Sequence, residues 1–112
     1  MFPAGAAVIA KADKGNAWVW VRFPVAVNPG DVRTYKVVAE RITPTGNVNV
    51  ACSHVIGDFD ELPSGRHDFL TARFEAAKFK QGEKFLFTVS TEGFFGKKGA
   101  TLSTEWTATK KA

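Results

Sequence analysis

The sequence predicts an all-β fold, a sandwich of seven antiparallel strands, and three observations lead to that expectation. The chain has 10 Phe and 3 Trp among its 112 residues, and such side chains suit a pleated, half-buried surface. Turn signals recur about every ten residues, which is typical of the short strands of a sandwich. No stretch of helical length shows a 3.6-residue apolar period.

Prolines and clusters of turn residues separate most of the expected strands. The seven strands are placed at residues 3–12, 17–23, 32–42, 48–56, 67–77, 85–91 and 102–108. Turns are expected at 13–16, 28–31 and 43–47, and a polar, acidic loop at 57–65. Residues 1–112 are too few for a second core, so they are expected to form a single domain.

Alternation of apolar and other side chains in three of these strands identifies the core. Side chains two residues apart lie on the same face of a strand. The residues predicted to be buried between the two sheets are Tyr35, Val37, Phe74, Phe85, Phe87 and Val89.

Charge and hydropathy bear on the class of partner. The net charge is +4, but the lysines form no arm or block and acidic residues are interspersed. A nucleic-acid-binding domain gathers its charge on one face and interleaves aromatic residues there, so no nucleic acid is expected as a partner. No apolar run approaches the ~20 residues that span a bilayer, so no membrane insertion is expected.

Cys52 is the only cysteine, so no disulfide within the chain can form. A lone cysteine in a strand-like run more often serves as a small apolar core residue than as a nucleophile. We therefore expect Cys52 to be buried.

The segment from Phe79 to Gly96 carries a resemblance to a known family. The pattern Phe79-x-x-Gly82-x-x-Phe85-x-Phe87-x-Val89-x-Thr91 followed by Gly96 is similar to the fibronectin type III signature Leu-x-Pro-Gly-Thr-x-Tyr, an alternating strand and a glycine in the next loop. Tyr35-Lys-Val37 of the third strand resembles the family's Tyr-x-Val. The chain has Phe85 where the family has its corner tyrosine, and Gln81 where it has proline.

The resemblance implies an immunoglobulin-like or fibronectin type III-like sandwich and a function typical of such modules. We expect a non-catalytic spacer, docking or accessory module of a larger, secreted bacterial protein, located outside the cell or at its surface. The loop of residues 93–99 is also similar to loops in modules attached to secreted bacterial hydrolases such as metallophosphoesterases. The alternatives are a stand-alone module that binds carbohydrate or protein through exposed aromatic residues, and a structural protein of a virion or appendage.

No catalytic, cofactor or metal site is predicted. Ser53 and His54 are adjacent on one strand, so their side chains face opposite ways, and a serine nucleophile needs a histidine oriented toward it. Ligand-type residues occur around the acidic loop, at His54, Asp58, Asp60, Glu61, His67 and Asp68. Their spacing matches neither a zinc site nor a complete calcium loop.

Exposed aromatic residues are the better candidates for a partner-binding site. In the second strand, Val19 and Val21 share one face, and Trp18 and Trp20 share the other, so either face could be buried. If the valines point inward, the tryptophans form a partner surface or a sugar platform. The second candidate is the loop of Phe94, Phe95, Lys97 and Lys98, where two adjacent aromatic residues lie beside two lysines and aromatic residues are enriched at interfaces. The competing interpretation is that these phenylalanines close the end of the sandwich.

Overall fold

A computed structural model describes residues 7–12, 17–24, 32–56, 69–93 and 98–108. Its seven strands are β1 (Ile9–Ala12), β2 (Trp18–Pro24), β3 (Val32–Thr43), β4 (Gly46–Ile56), β5 (Phe69–Glu75), β6 (Lys84–Gly93) and β7 (Lys98–Thr107). A single turn of 3-10 helix, Ala76–Lys78, follows β5. In the described part of the chain, no helix has the length and apolar character needed to cross a membrane.

The strands form two antiparallel sheets that pack face to face. One sheet has three strands in the order β1-β2-β5, and the other has four in the order β4-β3-β6-β7. The predicted seven-stranded antiparallel β-sandwich is therefore confirmed.

The core lies between the sheets and follows from the period of two along each strand. All six residues predicted to be buried are at most 5 % exposed, so that prediction is confirmed. The three-stranded sheet adds Val19, Val21 and Phe23 from β2 and Ala72 from β5.

Phe79 is a core residue that belongs to no strand. It lies just after the 3-10 helix and is buried, with its ring centre 4.9 Å from that of Phe85 and 5.6 Å from that of Phe87. In the same connection, Gly82 has a φ of +88°, a left-handed conformation that favours glycine. The amide of Gly82 donates to the carbonyl of Ala108 at 2.8 Å, which ties this turn to the end of β7.

The structure differs from the sequence-based expectation at several strand ends. The fifth strand stops at Glu75 because the chain turns into the 3-10 helix, and β7 begins at Lys98, four residues earlier than predicted. β7 starts early because residue 98 pairs with Glu92 of β6, and such pairing between strands is not visible in the local sequence pattern.

The expectation that Cys52 is buried is wrong: its side chain is exposed. Cys52 lies opposite Val38 of β3, and the residues that β3 directs into the core are Val38's neighbours Val37 and Ala39. Since residues opposite each other in a pair of strands share a face, Cys52 is on the outer side of the sheet.

Candidate functional site

The structure decides between the two faces of the second strand. Val19, Val21 and Phe23 are at most 1 % exposed, so the valine row points into the core. Trp18 and Trp20 lie on the outer side of the three-stranded sheet and are half-buried there. A half-buried indole on an outer face needs a neighbour to cover it, and the strand pairing shows which side chain does so.

The register of the three-stranded sheet places charged residues next to both tryptophans. Trp20 lies opposite Arg73 of β5 on one side and opposite Lys11 of β1 on the other. Trp18 lies opposite Glu75 of β5. We call this surface the Trp–Arg face, and its residues are Lys11, Trp18, Trp20, Arg22, Arg73 and Glu75.

Arg73 stacks on both indoles. Its guanidinium carbon is 4.6 Å from the centre of the Trp18 ring and 5.5 Å from that of Trp20. Each distance is within the ~6 Å over which the negative face of an aromatic ring attracts a cation. At an exposed site, one such contact contributes about 0.5–1 kcal/mol. The contacts therefore hold the long Arg73 side chain against the sheet.

The Trp–Arg face is positively charged. Lys11, Arg22 and Arg73 supply three cations, all on exposed residues, and Glu75 supplies the one carboxylate of the face. The flanking side chain of Ile9, opposite Arg22, is 56 % exposed. The face and its flank therefore combine aromatic, cationic and aliphatic groups on one side of the sheet.

This arrangement suits an acidic, hydrogen-bonding partner. A guanidinium held over an aromatic face still carries a fork of N–H donors, and these match the two oxygens of a carboxylate. A sugar would have to stack on the indole faces, and the Arg73 guanidinium already lies over both rings. The geometry thus favours carboxylate recognition over a sugar platform.

Of the other predicted partner residues, only Lys98 lies within the described part of the chain. Phe94, Phe95 and Lys97 lie outside the described residues. Lys98 begins β7, in the four-stranded sheet, whereas Trp18 and Trp20 belong to the three-stranded one. The structure therefore brings together the two tryptophans and leaves Lys98 on the other sheet.

Lys11, Arg22 and Arg73 were not among the predicted site residues. Alternation in the fifth strand does predict that Arg73 and Phe74 point to opposite faces of the sheet, which puts Arg73 on the outer side. What the sequence does not give is the register that sets residue 73 beside residue 20.

Of the candidate ligand and catalytic residues, the structure describes Ser53 and His54. Ser53 lies opposite Val37 on the core side of β3, and His54 lies opposite Lys36 on the outer side, so the two do face opposite ways as predicted. His54 Nε2 is 3.8 Å from Glu92 Oε1. Among the described residues, no three His, Cys, Asp or Glu side chains converge on a point that could hold a metal ion. The remaining ligand-type residues, Asp58, Asp60, Glu61, His67 and Asp68, lie outside the described residues.

Comparisons with protein-family models, with curated proteins and with solved structures found no match for this chain.

Proposed function

We propose that this chain is a non-catalytic β-sandwich module of a larger, secreted bacterial protein, and that it docks through the Trp–Arg face onto an acidic surface of a neighbouring domain or partner protein. The observation that carries the proposal is the stacking of Arg73 over Trp18 and Trp20. Tryptophan and arginine are the residues most enriched among those that dominate binding energy at protein interfaces.

Pre-organisation supports a role in docking. Ordering a long side chain on binding costs about 0.5–1.5 kcal/mol, and Arg73 is already held by its two aromatic contacts. The β2–β5 pairing beneath it sets the spacing of the three side chains. A partner carboxylate would therefore meet a donor group that is already in place.

The sandwich architecture supports the module part of the proposal. Three strands facing four is an arrangement that suits a fibronectin type III-like domain, the family that the Phe79–Gly96 segment resembles. Modules of that kind act as spacers or docking surfaces. A location outside the cell or at its surface follows from the same resemblance and is part of the proposal.

Poly-L-glutamate is a suitable probe for the acidic surface, with binding followed by tryptophan fluorescence. Arg73→Gln should weaken binding by about tenfold or more, because a charge-assisted contact of this kind contributes about 1.5–3 kcal/mol. The matched control is Lys84→Gln, which removes one exposed positive charge from the four-stranded sheet. It should change the affinity by less than about threefold, the effect of one distant surface charge.

Two results would count against the proposal. Equal losses in the two variants would mean that poly-L-glutamate senses only the net charge of +4. Binding of a neutral polysaccharide such as xylan, lost in Trp20→Leu, would favour the carbohydrate-binding alternative instead.

A further inference from the structure

We infer that the edge of β4 that no described strand covers pairs with β4 of a second copy of this chain, so that two four-stranded sheets join into one sheet of eight strands. This inference is independent of the Trp–Arg face, because β4 belongs to the other sheet.

β4 is a long strand at the edge of its sheet. It lies at the end of the order β4-β3-β6-β7, and among the described strands it hydrogen-bonds with β3 alone. β5 of the other sheet contacts it across the sandwich but is not its pairing partner. An edge strand presents a row of backbone N–H and C=O groups that can template another strand.

The composition of β4 distinguishes it from the other edges. Its 11 residues, Gly46–Ile56, include no Lys, Arg, Asp, Glu or Pro, which are the residues that commonly protect an edge. The other three edge strands each carry charge: Lys11 in β1, Arg73 and Glu75 in β5, and Lys98 and Glu105 in β7. Among the described edges, β4 is thus the one without a charged residue or a proline, and its protection is limited to a bulge.

A bulge limits where regular pairing can occur. Ala39 pairs with Ala51, but the next residue of β3, Glu40, pairs with Asn49, so Val50 is an extra residue in β4. The longer of the two regular segments is Ala51–Ile56, six residues long. Within it, Cys52 and His54 are exposed on the outer side.

A second copy suits this edge better than a charged strand does. Antiparallel pairing of β4 with itself about a two-fold axis keeps both outer faces on the same side of the joined sheet, and it sets no lysine, arginine or carboxylate opposite its own copy. Such a contact is isologous and closes after two subunits. The outermost strands of the joined sheet are then the two copies of β7, which carry Lys98 and Glu105, so growth stops at the dimer.

One strand pair buries little area, so the dimer should be weak and concentration-dependent. Sedimentation velocity over about a hundredfold range of protein concentration should show the shift from monomer to dimer. The test variant is Cys52→Lys/His54→Lys, which adds two lysines to the outer side of the β4 edge. It should raise the dimer dissociation constant by at least about tenfold, because like charges face each other across the pair.

The matched control is Thr101→Lys/Ser103→Lys, which adds the same two lysines on exposed residues of the outer side of β7. It should dimerise as the unmodified chain does. A chain that stays monomeric at all concentrations would overturn the inference, and so would equal weakening in the two variants. If the β4 variant does not fold, hydrogen exchange of the unmodified chain decides the question. Those amides of residues 51–56 that point away from β3 should exchange more slowly at high protein concentration, and unchanged rates would contradict the inference.

Discussion

Phe74 of β5 and Phe87 of β6 have their ring centres 5.9 Å apart, which joins the three-stranded sheet to the four-stranded one. Phe87 also packs on Phe79, at 5.6 Å, and on Trp106 of β7, at 5.9 Å. One side chain therefore connects both sheets and the turn between β5 and β6.

Phe87→Ala should lower the free energy of unfolding by about 3–5 kcal/mol, the usual cost of removing a buried aromatic side chain. Chemical denaturation measures this value. The control is Leu86→Ala, on the neighbouring residue, which is half-buried on the outer side of the sheet and should cost about 1–2 kcal/mol. A loss below about 1 kcal/mol in Phe87→Ala would contradict the register of β6.

Gly82→Ala should destabilise the turn between β5 and β6. A Cβ at this position meets no atom within 4 Å, so the cost comes from the backbone, which has a φ of +88°. We expect a loss of about 1–2 kcal/mol by thermal or chemical denaturation. Gly82→Asn should lose less, because asparagine tolerates a left-handed backbone better than alanine. Equal losses in the two variants would argue against this conformation.

Arg73→Gln should leave the sandwich folded. The side chain is exposed and its two stacking contacts contribute about 0.5–1 kcal/mol each, so the free energy of unfolding should fall by no more than about 2 kcal/mol. Urea denaturation measures this free energy. Near-ultraviolet circular dichroism of the folded variant should also record a change in the environment of the tryptophans. A loss above about 3 kcal/mol would mean that Arg73 has a structural role beyond this stacking.

The chain should need no metal and hydrolyse no ester. The reason is the incomplete set of ligands between residues 54 and 68 and the opposite directions of Ser53 and His54. Calorimetric titration with calcium and with zinc tests the first part, and assays with phosphate and carboxylate esters test the second. Micromolar metal binding that raises the melting temperature, or turnover of either ester, would show that a site has been missed.

The core could be predicted from the sequence because it depends on local alternation. Period two in the third, fifth and sixth strands identifies one row of each as buried, and Tyr35, Phe74 and Phe87 are indeed in the core. The second strand could not be assigned, because both of its rows are apolar and alternation does not say which row faces inward. The valines face inward because Val19 lies opposite Phe74 and Val21 opposite Ala72, both of which are buried.

The candidate site depends on distant pairing, which local patterns do not encode. Arg73 reaches Trp18 and Trp20 because β5 pairs with β2, although about fifty residues separate them in the chain. The same limitation explains why the exposure of Cys52 was not predicted, since its partner Val38 in β3 determines which face of the sheet it lies on. The expectation that Cys52 is buried was based on its residue type alone and not on its pairing.

The measurement that tests the docking claim most directly is a map of backbone and indole amide chemical shifts during titration with poly-L-glutamate. The largest changes should fall on the indole N–H groups of Trp18 and Trp20 and on the amides of residues 18–22 and 71–75. The outer side of the four-stranded sheet, including Thr88 and Ser103, should change little. Changes spread evenly over both sheets, or concentrated on the four-stranded sheet, would contradict the assignment of the Trp–Arg face as the docking surface.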